Sequence, residues 1–370
     1  MKIAHIVGNR PQFIKLSLLL RAWQRRTGDR TLIIHTGQHF SDNMSAIFFN
    51  EFGIPAPDHS LQIHSLSHNE MIGKMLVALD PVLALEKPDG VIVYGDTNTT
   101  LAGALAAKKR NIPLAHIESG IRTGKEDMPE ESNRYVTDRL ADLNFACTYL
   151  GMENLIREGY STARVFNTGD LMLDAAMLFK DKSREESVVL RDLPFAGPSF
   201  VLVTIHRAEN AEDPAVLGSI IQALNIIHKQ EPVVFPLHPR TRQLIDTHHI
   251  PVDFITTPPL GYMDMLALVQ ACRYVITDSG GLSREAFFFS KPALVVMQHP
   301  FWPEIFVHGR CLQAAALCED ILQKFQGLKV GVTTPVSGMD GAGGPFNSSI
   351  FGDGNAADNI CDILLAAWSQ

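Results

Sequence analysis

The sequence has none of the short motifs that mark the common cofactor and metal sites. No GxGxxG follows an apolar strand, and neither a GxxxxGKS phosphate loop nor an HExxH pair is present. The five cysteines show no CxxC spacing of the kind that holds zinc. These absences speak against a nicotinamide, ATP or zinc mechanism. We therefore expect a reaction that uses no cofactor and no metal.

The chain also lacks a surplus of positive charge and long apolar runs. Its formal net charge is −8, and Lys and Arg are scattered rather than gathered in a stripe that would bind nucleic acid. No apolar run approaches the roughly 20 residues that cross a bilayer. The cysteines follow no leader of secretory type, which indicates reduced thiols. We expect a soluble, cytoplasmic protein without a nucleic-acid or membrane partner.

Apolar strands alternate with helical patterns along the chain. The 370 residues are 46% hydrophobic and 19% charged, which is long and apolar enough for two domains. The alternation predicts a doubly wound α/β fold, and it restarts after the charged segment 180–186 and the turn-rich segment 192–199. We predict two Rossmann-like domains that face each other across a cleft, 1–175 and 176–354. A final helix at 355–370 is expected to pack back on the first domain.

The stretch HIESGIRTGKEDMPEESNR, residues 116–134, carries the densest group of reactive side chains. Glu118 ends the apolar strand LAHI, where burial would raise its pKa toward acid or base use. A helix that opens at Pro129 has Glu130 and Glu131 in its first turn, and Arg134 shares a face with them. A surface ion pair is the structural alternative. Carboxylates and guanidinium groups behind a buried strand indicate a reaction site.

Two more strand ends in the first half carry candidate residues. A helix begins near Pro11, so Arg10 and Lys15 lie near a helix N-terminus, which favours a phosphate. Asp96 follows the strand VIVY, where it is either a base or part of the cap of the next helix. The carboxyl ends of parallel strands border the ligand crevice, so we expect these side chains to point at one ligand.

The second half repeats this design. His206 follows the strand VLVTI and could protonate or hold a leaving diphosphate, and His238 shows the same pattern more weakly. The turn SGG at 279–281 stands where a strand gives way to a helix, and its glycines let a phosphate approach the backbone amides. Glu285, one turn into that helix, could hold ribose hydroxyls. A plain turn with a Ser or Asp cap is the structural alternative.

Together these motifs resemble the non-hydrolysing UDP-N-acetylglucosamine 2-epimerases, a family with the two-domain GT-B fold. The matching stretches, in family order, are GNRPQFIK, HTGQH, GDTNTTLAGALAA, HIESGIR, MPEESNR, TGDLMLDA, HRAEN and DSGGLSREA. The resemblance implies an isomerase that interconverts UDP-N-acetylglucosamine and UDP-N-acetylmannosamine by inversion at C2 of the sugar. It also implies a homodimer and a role in polysaccharide biosynthesis.

The resemblance further implies a route through a glycal. The C2 proton is not acidic, so direct abstraction to a stable carbanion is implausible. The implied route is anti-elimination of UDP to 2-acetamidoglucal, followed by re-addition of UDP with the proton delivered to the other face of C2. The implied catalytic residues are Asp96, Glu118, Glu131 and His206. The substrate-binding candidates, from the resemblance and from the strand-end pattern, are Arg10, Lys15, Arg134, His238, Ser279, Gly280, Gly281 and Glu285. Members of the family can take a second UDP-N-acetylglucosamine as activator near TGQH, where Gln38 and His39 match.

The chain departs from the family pattern at several places. It has HIESG for the usual HVEAG, Arg284 for an acidic residue or Lys, and QHPFWPEIF from 298 for a stretch with Arg and Thr-Glu-Arg or Thr-Glu-Trp. Sugar specificity therefore stays open. The alternatives are a 2-epimerase of UDP-2,3-diacetamido-glucuronate, a hydrolysing epimerase that releases N-acetylmannosamine, and a GT-B glycosyltransferase.

Overall fold

The structure, a computed structural model, describes residues 1–38, 49, 51–194, 199–307, 310–331 and 348–368. Contacts divide the chain into two compact units. Unit 1 contains Met1–Ala175 and Ser349–Gln370, and unit 2 contains Ala176–Ser348. Each unit has a parallel sheet and a hydrophobic core of its own. The predicted α/β class with two Rossmann-like doubly wound domains is confirmed.

The strands and helices of the described residues follow the predicted alternation. The strands are β1 (Ile3–Val7), β2 (Leu32–His35), β3 (His59–Ser60), β4 (Gly90–Tyr94), β5 (Leu114–Ile117), β6 (Leu143–Ala146), β7 (Val165–Asn167), β8 (Val201–Thr204), β9 (Val233–Pro236), β10 (Ile255–Thr257), β11 (Tyr274–Thr277), β12 (Ala293–Val296) and β13 (Cys311–Ala314). The helices are α1 (Arg10–Thr27), α2 (His68–Glu86), α3 (Asn98–Lys109), α4 (Pro129–Leu140), α5 (Tyr149–Arg157), α6 (Leu171–Glu186), α7 (Ala208–Ala211), α8 (Pro214–His228), α9 (Pro239–Thr247), α10 (Tyr262–Ala271), α11 (Gly280–Phe288), α12 (Glu304–Val307), α13 (Cys318–Lys329) and α14 (Ala356–Trp368).

Both sheets have the strand order of a doubly wound fold. In unit 1 the order is β3-β2-β1-β4-β5-β6-β7, and in unit 2 it is β10-β9-β8-β11-β12-β13. The order reverses between β1 and β4 in the first sheet and between β8 and β11 in the second. Ligands of such sheets bind outside the carboxyl ends of the strands at this reversal. The stretches GNRPQFIK and YGDTNTT follow β1 and β4, while HRAEN and DSGG follow β8 and β11.

Helix α14 packs against α1 within unit 1. The Nε of Arg26 lies 2.5 Å from Oδ1 of Asp362. The carboxylate of Asp174 accepts hydrogen bonds from the first backbone N–H groups of α14, those of Ala356 at 3.2 Å and Ala357 at 2.8 Å. A Cβ on Gly90 would overlap the indole ring of Trp368, so glycine lets the helix end lie against β4. The last helix is thus anchored to unit 1.

Some elements were not expected from the sequence. The charged segment 180–186, read as a break in the pattern, is the end of α6. Strand β13 was not predicted because CLQA has only four residues, and helices α9 and α13 were not predicted although each has an amphipathic pattern. No helix among the described residues is long and apolar enough to cross a membrane.

Candidate active site

Gln12 joins the two strand ends at the reversal of the first sheet. Its Oε1 accepts from the backbone N–H of Gly8 at 2.7 Å, and its Nε2 donates to the carbonyl oxygen of Tyr94 at 2.8 Å. Asn9 caps α1 by accepting from the backbone N–H of Gln12 at 3.2 Å. Arg10, the first residue of α1, therefore follows a turn that is held on both sides. The sequence analysis did not single out Gln12.

Lys15 and Glu118 form a buried ion pair between Nζ and Oε2. Glu118 has a φ of 71°, in the left-handed region that residues other than glycine seldom adopt. Its backbone N–H donates to the carbonyl oxygen of Phe145 at 3.0 Å. A Cβ on Gly95 would lie 3.8 Å from Oε2 of Glu118, so the turn before Asp96 adjoins this ion pair. Two of the predicted residues, Lys15 and Glu118, are thus in direct contact, and Asp96 directly follows the glycine beside them.

Arg134 links Asp96 and Glu131. Its Nη2 and Nε lie 2.6 Å and 3.0 Å from Oδ2 of Asp96, and its Nη1 pairs with Oε2 of Glu131. The Arg134 side chain is only 1% exposed, whereas that of Asp96 is 28% exposed. The shared helix face of Glu131 and Arg134 is therefore buried. It is not the surface ion pair that was the structural alternative.

Glu131 also holds the loop that follows β5. Its carboxylate accepts from the backbone N–H of Thr123 at 3.0 Å, from Thr123 Oγ1 at 3.0 Å and from the backbone N–H of Gly124 at 3.3 Å. With Arg134, both carboxylate oxygens have donors. The predicted acid/base role of Glu131 stays a prediction, and the structure adds a role in loop placement.

His116 and Asp138 form a second buried pair, which was not predicted from the sequence. His116 Nδ1 is 2.6 Å from Oδ1 of Asp138, and neither side chain is exposed. Arg122 Nη2 lies 2.8 Å from Oδ2 of Asp138 and also binds Glu158. Burial lowers the pKa of Arg122, but its hydrogen bonds with these two carboxylates dominate and raise it well above the usual value. Asp138 lies 22 residues from His116, beyond any local spacing rule.

Gln38 lies beside the N-terminus of α3. Its Oε1 accepts from the backbone N–H of Thr99 at 2.9 Å and from Thr99 Oγ1 at 2.8 Å. Its proposed activator role stays a prediction. His39 lies outside the described residues.

Asp278, the residue after β11, organises the corresponding strand ends of unit 2. Its fully buried carboxylate accepts from the backbone N–H groups of His206 at 3.0 Å and Arg207 at 2.9 Å, and from Asn210 Nδ2 at 3.1 Å. His206 Nδ1 lies 3.0 Å from it. Burial raises the pKa of Asp278, but the bonds with His206, Arg207 and Asn210 outweigh burial and lower it. Asp278 was not among the predicted site residues, and the sequence suggested for it only the alternative role of a helix cap.

His206 and the SGG turn lie at neighbouring strand ends in unit 2. The His206 side chain is 53% exposed. Ser279 caps α11, its Oγ accepting from the backbone N–H of Leu282 at 3.3 Å, so the cap that was the structural alternative is present. A Cβ on Gly280 would lie 2.8 Å from the ring of Phe301. Gly281, in the same first turn of α11, is exposed.

The segment QHPFWPEIF, which differs from the family pattern, packs against the SGG turn. Trp302 Nε1 donates to the carbonyl oxygen of Gly280 at 3.0 Å. The guanidinium of Arg284 lies 4.5 Å from the centre of the Trp302 ring, a cation–π distance. Two unusual residues of this chain are therefore partners of each other. Glu285, next in α11, is buried.

Among the described residues, His238 shows no contact with the other candidate residues of unit 2. It caps α9 by accepting from the backbone N–H of Arg240 at 3.3 Å. Its predicted part in substrate binding stays a prediction. In the described part of the chain no cluster of three His, Cys, Asp or Glu residues could hold a metal ion.

Comparison with known proteins identifies the family. The sequence profile of the UDP-N-acetylglucosamine 2-epimerases matches residues 21–365. The chain belongs to this family. It is 42% identical to the UDP-2,3-diacetamido-2,3-dideoxy-D-glucuronate 2-epimerase of Pseudomonas aeruginosa over 98% of this chain and 99% of that protein. It is 30% identical to the UDP-N-acetylglucosamine 2-epimerase of Escherichia coli, with 98% of each covered.

Solved structures of UDP-N-acetylglucosamine 2-epimerases agree. The Methanocaldococcus jannaschii enzyme in complex with UDP-GlcNAc and UDP matches with a TM-score of 0.87 and 33% identity, covering 99% of this chain and 100% of that one. The Neisseria meningitidis enzyme bound to UDP-GlcNAc matches with a TM-score of 0.87 and 28% identity over the same shares. The predicted resemblance is confirmed, and this member of the epimerase family is an isomerase.

Proposed function

We propose that this epimerase-family member inverts C2 of a UDP-2-acetamido sugar, with UDP-N-acetylglucosamine as its substrate. One observation carries the proposal. In unit 1 Glu118 pairs with Lys15, and Asp96 and Glu131 both pair with Arg134, with Asp96 and Glu118 following the adjacent strands β4 and β5. Loss and return of a proton at C2 needs a general acid and base, a role that carboxylates can fill, and positive charge favours departure of a diphosphate.

The reaction we infer balances without a redox partner. One carboxylate takes the C2 proton, the C–H electrons form the C1–C2 double bond, and the C1–O bond breaks with its electrons going to UDP. The phosphate oxygen then attacks C1 again while a proton is delivered to the opposite face of C2. A carboxylate on each side of the sugar suits this exchange. Glu118 is the first candidate because it adjoins Lys15 and has an unusual backbone conformation.

The strand ends of unit 2 suit the nucleotide in this proposal. The N-terminus of α11 and the glycines of the SGG turn favour a diphosphate, and Glu285 follows one turn later. His206 is exposed enough to meet a ligand, while Asp278 fixes its backbone. Its imidazole can donate to the leaving diphosphate.

A second substrate is favoured by a specific comparison. The Pseudomonas aeruginosa relative at 42% identity is named for a UDP-diacetamido-glucuronate. The relatives at 30 to 38% identity include several named for UDP-N-acetylglucosamine. Both substrates carry the acetamido group at C2, so the same proton chemistry applies to each.

Proton NMR in deuterated water separates these outcomes. Each UDP sugar is incubated with the purified protein, and the C2 proton and the anomeric signals are followed. We expect deuterium at C2 together with the signals of the C2 epimer. Conversion of the uronate alone would assign the second substrate. Free sugar and UDP would indicate hydrolysis, and an unchanged spectrum with both sugars would contradict the proposal.

The Glu118→Gln variant tests the inferred acid/base residue. It removes a titratable carboxylate at nearly constant volume, so we expect kcat to fall by about 100-fold or more. Binding of UDP, measured by calorimetry, should persist. Glu153→Gln is the matched control, because Glu153 pairs only loosely with Arg157 on an exposed helix face. Wild-type turnover by Glu118→Gln would remove Glu118 from the mechanism.

A further inference from the structure

The His116–Asp138 pair has no assigned part in the proposed reaction, yet it contacts the segments that carry the candidate carboxylates. His116 Nε2 lies 2.7 Å from the carbonyl oxygen of Gly95, which can only accept a hydrogen bond. Nε2 therefore carries a proton and donates it. Nδ1 lies 2.6 Å from the Asp138 carboxylate, and that hydrogen bond requires a second proton between the two groups.

The first contact fixes the turn that carries Asp96. Gly95 directly precedes Asp96 and has a φ of 64°, a conformation suited to glycine. Its backbone N–H donates to the carbonyl oxygen of Ile117 at 2.8 Å, and its carbonyl oxygen accepts from His116. The peptide groups on both sides of Gly95 are thus tied to the end of β5.

The second contact fixes the turn that carries Glu118. Asp138 Oδ2 accepts from the backbone N–H of Gly120 at 3.2 Å, two residues after Glu118. Gly120 also has a positive φ of 79°, and a Cβ there would overlap the backbone of Gly151. An unusual backbone conformation at Glu118 persists only when its surroundings over-determine it. The Asp138 carboxylate supplies one of those restraints.

The third contact involves the loop that Glu131 binds through Thr123. Asp138 and Glu131 both belong to α4, and Arg122 bridges Asp138 to the loop segment next to Thr123. Thr123 donates to Glu131 through its backbone N–H and its hydroxyl. A single buried ion pair is therefore connected to all three carboxylate-bearing segments.

We propose that His116 and Asp138 are positioning residues that set the relative placement of Asp96, Glu118 and Glu131. This rests on the proposed function and adds to it the residues that hold the carboxylates in register. Catalysis depends steeply on such placement, since a shift of about 1 Å can cost roughly 100-fold in rate. Binding of the nucleotide depends on it less, because the SGG turn, Glu285 and His206, which are proposed to hold the nucleotide, belong to unit 2.

Steady-state kinetics with four variants test the proposal. Asp138→Asn keeps the volume and loses the charge, and we expect kcat to fall about 100-fold while KM stays within about 3-fold. His116→Gln keeps an N–H that can reach the Gly95 carbonyl, so it should retain more kcat than His116→Leu. Asp142→Asn is the control, because Asp142 pairs with Lys108 and caps the start of β5 away from these carboxylates.

The possible outcomes distinguish failure of the positioning role from failure of the proposed function. The proposal is supported if kcat falls in Asp138→Asn but not in Asp142→Asn, with UDP binding intact in both, and if glutamine outperforms leucine at 116. An active wild type whose Asp138→Asn variant keeps full kcat, or whose two His116 variants are equal, overturns the positioning role alone. A wild type that converts neither UDP sugar refutes the proposed function and the positioning role with it.

Discussion

Arg134 holds a positive charge almost completely out of water. Its guanidinium serves Asp96 on one side and Glu131 on the other, and Glu131 in turn binds the backbone of the loop after β5. A planar group with five donors suits two carboxylates at once, which a lysine could not match. The cost of burying these charges is offset only while all three remain together.

Removing that guanidinium should therefore destabilise the protein strongly. We expect Arg134→Met to lower the free energy of unfolding by about 3–5 kcal/mol, because two carboxylates lose their cation in a buried site. Urea denaturation measures the loss. Arg110→Met is the control: Arg110 pairs with the exposed Asp80 at 2.8 Å, and such surface pairs contribute about 1 kcal/mol or less. Equal losses in the two variants would contradict the buried role.

At the scale of elements, α14 is joined to unit 1 through its N-terminus. Asp174 in α6 accepts the backbone N–H groups of Ala356 and Ala357. Burial raises the pKa of Asp174 to about 6, with Asp170 and Asp358 adding to the rise, although the two backbone bonds lower it. Burial therefore outweighs the favourable helix terminus.

This raised pKa predicts a pH-dependent stability. The unfolded carboxyl has a pKa of 3.8, below that of the folded form, so the stabilisation from protonation is full below about pH 4 and is lost as pH rises through about 6. Asp174→Asn removes the titration. We expect the wild type to lose roughly 3 kcal/mol relative to this variant between about pH 4 and pH 7. Parallel stability curves for the two proteins would contradict the assignment.

At the scale of the whole molecule, nucleotide binding should increase the free energy of unfolding. A ligand that binds only the folded state at about 100 times its Kd adds roughly 2.7 kcal/mol. Trp302 and Phe301 lie against Gly280, so the SGG turn has little room for a larger residue. A methyl group added at Gly280 should therefore disturb the turn itself.

A thermal-shift measurement with UDP follows from this arrangement. We expect saturating UDP to raise the melting temperature by roughly 3–4 °C, and Gly280→Ala to lose most of that shift because the new methyl group displaces Phe301. Gly218→Ala in α8 is the control, since no atom lies within 4 Å of its added Cβ. A full shift in Gly280→Ala would exclude this turn from UDP binding.

Local pattern in the sequence was sufficient to predict the fold class and to place most of the candidate residues after strands. Apolar strands of four or five residues alternate with amphipathic helices, and this alternation is a property of neighbouring residues. Polar residues directly after strands could be identified for the same reason, including Asp96, Glu118, His206 and the SGG turn. Very short elements such as β13 carry too weak a pattern.

Contacts between distant residues needed the folded chain. His116 is hydrogen-bonded to Asp138, 22 residues further along the chain. Asp278 accepts a hydrogen bond from the backbone N–H of His206, 72 residues earlier. The sequence left open whether Glu131 and Arg134 form a surface ion pair or part of a reaction site, and the burial of their helix face excludes the surface pair. Sequence spacing reports only neighbours along one element, whereas burial and hydrogen bonding depend on which elements the sheet order brings together. The partners of the catalytic candidates are therefore a property of the tertiary fold.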